Sequence, residues 1–252
     1  MKTLFNATAQ TKILVKTLFL FSLTISSLVA PKALADTNQI FVQASKGSFN
    51  DAAISKLFTN KPELKAEVIF AGTPTNTFKL ADENKTLAFS AVENSTIEGK
   101  LVQATVDALK LYKITQVNAF TTIPIEMCVL MTESDVKQHK AISAIASHPA
   151  ALKQINMWKH SLNATELPVP EGTSAAAAKV SQGELPSGTA AIGACVLSTV
   201  YPNLIIVEKG VQDNKDNKTS FLLVNVEKRR TPIGENEARQ ELAKAIKQGK
   251  QL

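Results

Sequence analysis

Several polar clusters in this 252-residue chain could do chemistry, and each also has a plain structural use. Glu93, Asn94 and Ser95 stand together. Burial would make the carboxyl a general acid or base, and the amide and hydroxyl beside it could hold a carboxylate. Otherwise the same residues form a solvated loop with an Asx turn. Ser48, Thr173 and Ser174 precede helical segments, where hydroxyls and free backbone N–H groups suit anionic ligands. Thr219 and Ser220 lead into the apolar run from Phe221, so Thr219 is either a reacting hydroxyl or a β-former entering a strand. His148, before Pro149, reads as a helix cap rather than a catalytic imidazole. Cys128 and Cys195 are the two cysteines. Neither spacing nor neighbours suggest metal ligation, and the sequence leaves their pairing open.

Positioning these groups requires a particular set of elements. Short β-branched runs alternate with helix-like segments, the pattern of an α/β protein. Strands are expected at 39–43, 67–70, 87–92, 114–120, 125–131, 190–193, 204–207 and 221–226. Helices are expected over Asp51 to Phe58, over Leu101 to Tyr112, and from Pro149 onward with Leu152, Ile155 and Met157 as the buried side. Pro232 and Gly234 end the last strand. Beyond them Glu235 to Gln248 forms a charged helix whose apolar stripe is Ala238, Leu242, Ala245 and Ile246. Residues 229–252 therefore read as a polar C-terminal helix or tail, dispensable for the fold.

The amino terminus carries Lys2, Lys12 and Lys16, an apolar run from Thr17 to Ala30, and then Ala33-Leu34-Ala35. This is the pattern of a signal peptide over residues 1–35 with the mature chain starting at Asp36, which predicts a periplasmic or secreted protein. The run is shorter than the roughly 20 apolar residues a spanning helix needs, so no membrane association is expected after cleavage. Removing Lys2, Lys12, Lys16 and Lys32 takes the net charge from +6 to +2. No later stretch interleaves basic and aromatic residues, which argues against a nucleic-acid partner.

Five segments carry a family resemblance. Lys46-Gly47-Ser48-Phe49-Asn50-Asp51-Ala52-Ala53 resembles the opening Gly-Pro-x-Gly-Thr/Ser-Phe/Tyr-Ser-x-x-Ala-Ala of prephenate dehydratases. Val92-Glu93-Asn94-Ser95 is similar to their Pro-Ile-Glu-Asn-Ser loop, and Ser147-His148-Pro149 with Gln154 to Ser-His-Pro-x-x-x-x-Gln. Gly172-Thr173-Ser174-Ala175-Ala176 matches Ser/Asp-Thr-Ser/Ala-Ala-Ala, and Asn217-Lys218-Thr219-Ser220-Phe221 resembles Asn-x-Thr-Arg-Phe. The resemblance covers the catalytic domain, and the phenylalanine-binding regulatory domain of many members is not expected in this chain. It implies two α/β lobes around a central cleft, like type 2 periplasmic binding proteins. Lobe one would be about 36–118 plus 219–228, and lobe two about 119–218.

The implied function is a lyase of phenylalanine biosynthesis that converts prephenate, a small dicarboxylate, to phenylpyruvate, CO2 and water without cofactor or metal. A homodimer is compatible with it. The implied catalytic residues are Thr219, which would assist the departing hydroxyl, and Glu93. The implied substrate-binding residues are Ser48, Asn94, Ser95, Gln154, Thr173, Ser174, Ser220 and Phe221. Ala44-Ser45 stands in place of Gly-Pro, Ala91 in place of proline, Met127 where many members have histidine, and Ser220 in place of the motif arginine. An arginine offers a bidentate fork to a carboxylate and a serine offers one donor, so weaker prephenate binding or a different ligand is expected. On that basis Ser220→Arg should strengthen turnover. The alternatives are a prephenate decarboxylase variant and a non-catalytic periplasmic protein that binds a small carboxylate.

Overall fold

A computed structural model describes residues 39–96 and 100–252, so the expected signal peptide lies outside the described residues. In chain order the elements are β1 (Gln39–Val42), α1 (Phe49–Asn60), β2 (Glu67–Phe70), α2 (Pro74–Glu83), β3 (Leu87–Asn94), α3 (Gln103–Leu111), β4 (Tyr112–Pro124) and β5 (Met127–Thr132). There follow α4 (Glu133–Lys137), β6 (Ala144–Ser147), α5 (Pro149–Leu152), α6 (Asn156–His160), β7 (Thr165–Pro168), α7 (Thr173–Ser181) and β8 (Thr189–Ala194). The last are α8 (Leu197–Val200), β9 (Leu204–Lys209), β10 (Lys218–Lys228) and α9 (Glu235–Gly249). Among the described residues no helix is long and apolar enough to cross a membrane.

The strands form two five-stranded mixed sheets, ordered β2-β1-β3-β10-β4 and β7-β6-β8-β5-β9. In the first, β1 runs parallel to β2 and β3, while β10 is antiparallel to β3 and β4. The second repeats the plan, with β6 parallel to β7 and β8, and β5 antiparallel to β8 and β9. Helices cover both faces, so the central strands are apolar on both sides. Phe89, Ala91, Phe221 and Leu223 join α1 and the facing residues of the second sheet in one core. Ala88, Val92, Leu222 and Val224 face the opposite way, under α2, α3 and α9.

The two-lobed α/β class is as expected, but the lobe boundaries differ. β4 pairs with β10 from Tyr112↔Lys228 to Pro124↔Lys218, so the chain leaves sheet one only at Ile125. Lobe two is therefore built from 127–209, not 119–218. The strands β6 and β7 were not expected; each is four residues long and offers no alternation to read. The helix begun at Pro149 ends at Leu152, and a new turn starts at Asn156. Leu152 and Ile155 are buried, but the break turns Met157 out to 69% exposure.

The C-terminal segment is a layer of lobe one rather than a detached tail. Ala238, Leu242, Ala245 and Ile246 are buried against sheet one. Gly249 comes so close that a Cβ there would stand 2.7 Å from Leu222 Cδ2. Arg229 pairs with Glu241, which also accepts the Ile114 N–H at 2.8 Å. In lobe two, Cys128 on β5 and Cys195 after β8 are joined by a disulfide with Cα atoms 5.0 Å apart.

Candidate active site

A cleft of about 580 Å³ opens between the sheets. Its floor carries Phe221, which is fully buried and stacks on Phe89 with ring centroids 5.4 Å apart. The ends of β3 and β10 bring up the polar groups, with Thr219 directly opposite Asn94 in the ladder. A bulge decides which side chains reach the cleft. Ser220 pairs with Glu93 and Phe221 with Ala91, so Val92 is an extra residue on β3. Ala91 and Asn94 both line the cleft although they are three positions apart, a spacing that an unbroken period of two would forbid.

Asn94 is the centre of a directed hydrogen-bond chain. Its Oδ1 accepts the Thr96 backbone N–H at 2.8 Å, which fixes the amide's orientation. Its Nδ2 donates to Thr219 Oγ1 at 2.7 Å and to Asn217 Oδ1 at 3.0 Å. Asn217 Nδ2 donates in turn to Gln154 Oε1 at 2.9 Å, and Gln154 Nε2 donates to the Ala150 carbonyl at 3.0 Å. Because a backbone donor anchors one end and a backbone acceptor the other, every amide has one consistent sense. Thr219 Oγ1 is thereby an acceptor within the chain, and among the described residues its own proton has no other acceptor, which leaves it to donate into the cleft.

Of the expected site residues, Ser48, Asn94, Gln154, Thr173, Ser174, Thr219 and Phe221 line the cleft; Glu93, Ser95 and Ser220 do not. Ser95 Oγ accepts the Lys218 N–H at 2.9 Å and tethers the start of β10. Glu93 and Ser220 lie one ladder step from Asn94 and Thr219 and face the other way. There Glu93 meets Lys250 Nζ at 3.1 Å, and Ser220 meets Thr122 Oγ1 at 3.0 Å. An arginine at 220 would thus project toward Glu93, which corrects the expectation that Ser220→Arg supplies a carboxylate fork to the substrate. Gln154 anchors Asn217 rather than standing free. Ser174 Oγ donates to the Lys46 carbonyl at 2.5 Å, clasping the lobes together beside the cleft.

Among the described residues the cleft lining holds no lysine or arginine. Positive potential comes instead from helix starts. Ser48 caps α1 by accepting the Asp51 N–H at 3.3 Å, and Thr73 caps α2 by accepting the Asn76 N–H at 3.2 Å. The N-cap of α7 is Gly172 at φ 128°, with no side-chain cap. First-turn N–H groups there are left for a ligand, and the helix dipole favours an anion. His148 Nδ1 accepts the Ala150 N–H at 3.1 Å, the capping role expected of it. At the rim, a hydrogen bond from its own backbone N–H and the nearby Lys179 lower the pKa of the Glu171 carboxyl.

Sequence reasoning did not single out Asn217, Gln43 or Asn50. Asn217 could have been found as the first member of the Asn-x-Thr segment. Gln43 Oε1 accepts the Ala91 N–H at 3.0 Å beside the bulge, and nothing in the sequence marks it. Among the described residues, Asn50 Oδ1 is buried without a hydrogen-bond partner at the cleft wall.

The prephenate dehydratase family profile matches residues 40–229. A prephenate dehydratase of Amycolatopsis methanolica is 36% identical over 143 residues, covering 56% of this chain and 42% of that protein. The chain therefore spans less than half the length of that relative. The prephenate dehydratase of Arthrobacter aurescens, solved in complex with L-Phe, has a TM-score of 0.60 at 22% identity, covering 78% of this chain and 61% of that one. GqqA, described as a quorum-quenching acylase, has a TM-score of 0.56 at 19% identity, covering 78% of this chain and 66% of that one. These two likenesses speak for the fold, which hosts more than one named activity. Matched across three quarters of its length, with the motif residues gathered at one cleft, the chain belongs to the prephenate dehydratase family.

Proposed function

We propose that this chain is a prephenate dehydratase contributing to aromatic amino acid biosynthesis. One observation carries the reading: Asn94 Nδ2 donates to Thr219 Oγ1 at 2.7 Å beside an anion-favouring cleft, which directs the hydroxyl's own proton away from that bond. Prephenate loses its ring carboxylate as CO2. The electron pair of the broken C–C bond enters the ring, and the C–O bond opposite it breaks. Thr219 hydrogen-bonds the departing hydroxyl, which leaves as water once a proton from solvent is counted. Aromatisation supplies the driving force, so the protein's task is positioning and electrostatic stabilisation. Ser48, Thr173 and the free start of α7 would hold the carboxylates, with the Phe221 ring beneath the substrate.

Mature protein mixed with prephenate at neutral pH should release phenylpyruvate. Thr219→Ala should lower kcat by about 10²–10³-fold while changing KM by less than about threefold, since the lost bond strengthens as the hydroxyl leaves. Wild-type turnover indifferent to Thr219 would sink the mechanism. Binding without product would favour capture of a small carboxylate over catalysis.

We also infer that the protein works outside the cytoplasm. The Lys-rich start, the apolar run and Ala33-Leu34-Ala35 support this, and so does the Cys128–Cys195 disulfide, since such bonds persist in oxidising compartments. Recovery of the soluble protein with an amino terminus at Asp36 is the expected result, and cytoplasmic protein retaining Met1 the contrary one.

A further inference from the structure

We propose that Lys250, at the end of α9, is a positioning residue for the Asn94–Thr219 pair and acts through Glu93. Only the kinetic arm of its test rests on the dehydratase reading. Asn94 and Thr219 face each other across β3 and β10, and Glu93 and Ser220 are the next pair along the same strands. On that back face Lys250 Nζ lies 3.1 Å from Glu93 Oε2, and the same oxygen lies 3.5 Å from Ser220 Oγ. Ser220 Oγ continues at 3.0 Å to Thr122 Oγ1 on β4. One carboxylate thus links β3 to β10, and the hydroxyls pass the link on to β4.

The tie falls where the strands need it. The bulge at Val92 interrupts the regular ladder beside Glu93, and β3 ends one residue beyond Glu93. Lys250 itself is held in place. Its ammonium sits 5.7 Å from the Phe120 ring centroid, and the preceding Gly249 packs directly on Leu222 and Phe120. With side chains 49% and 21% exposed, the Lys250–Glu93 pair can shift an equilibrium by a factor of about two to five. That is enough to bias where Thr219 stands and too little to decide whether the protein folds.

Lys250→Met should lower kcat for prephenate about two- to fivefold and leave KM within about twofold, whereas Lys250→Arg should behave as wild type. Glu93→Gln should match Lys250→Met, and the double variant should be no worse than either. Ser220→Arg introduces a long cation opposite Glu93, so it should restore the Lys250→Met background. High salt should bring the wild type toward Lys250→Met and leave that variant unmoved. Hydrogen exchange judges the proposal without turnover. The Asn94 and Ser95 amides, bonded to the Lys100 and Lys218 carbonyls, should exchange faster in Lys250→Met while the β5 and β8 amides do not change. If wild type makes no phenylpyruvate, the dehydratase reading fails and exchange alone decides. Unchanged exchange at Asn94 and Ser95 would overturn the proposal. So would a loss of about a hundredfold or more in Glu93→Gln with Lys250→Met unaffected, because Glu93 would then act on the substrate directly.

Discussion

Ala44 lines the cleft at φ 69°, where an L-residue pays for the crowding of its Cβ. Its N–H and carbonyl exchange hydrogen bonds with Gly72 at 2.6 and 3.1 Å, and these hold the conformation in place. The left-handed region costs a side chain about 1–2 kcal/mol, and the added freedom of an unfolded glycine returns about 0.5–1 of it. Ala44→Gly should therefore stabilise the protein by about 0.5 kcal/mol, read as a higher urea midpoint at constant slope. The sequence marked this position, since Ala44 replaces a glycine of the family motif, but gave no sign of the strain. It also supplied Glu93-Asn94 and Thr219-Ser220 as adjacent pairs without saying which member of each faces the ligand. Alternation allows one of each, and the choice rests on the bulge at Val92, which no local pattern announces.

At the scale of elements, α9 shows how far periodicity carries. The stripe of Ala238, Leu242, Ala245 and Ile246 was legible, and it is the face that is buried. What it covers was not legible, because nothing in a helix names the sheet it will meet. Leu242 is fully buried among residues from sheet one and its neighbouring helices, so Leu242→Ala should cost about 2–4 kcal/mol in denaturant unfolding. Truncation after Lys228 should abolish cooperative unfolding, contrary to the expectation of a dispensable tail. β6 and β7 stayed hidden for the opposite reason. Parallel four-residue strands depend on neighbours far away in the chain, and Ala144-Ile145-Ala146-Ser147 has no period of its own.

Across the whole molecule, the two-sheet plan was legible from the alternation of elements, while the crossing points were not, because β4 runs on without a break signal until Pro124. The lobes also differ in what holds them. In lobe two, Asp135 accepts the Ser187 hydroxyl at 2.5 Å and the Gly188 N–H at 3.0 Å, with Lys140 Nζ at 3.3 Å. Burial alone would raise its pKa, but these donors outweigh burial and lower it from 3.8 to about 2. A folded value below the unfolded one adds stability that is complete above about pH 4 and is lost as pH falls toward 2, worth about 2 kcal/mol here. Asp135→Asn should accordingly flatten the acid limb of the stability profile in that window.

The placement of β10 reaches back to the making of the chain. It lies between β3 and β4, yet its residues are translated after all of lobe two, so sheet one cannot close while the ribosome is still producing 127–217. A nascent chain in that state has β3 and β4 waiting for the strand that belongs between them. On the export route proposed above, such a delay would keep the amino-terminal half of the chain the last to become too rigid to thread through a membrane channel.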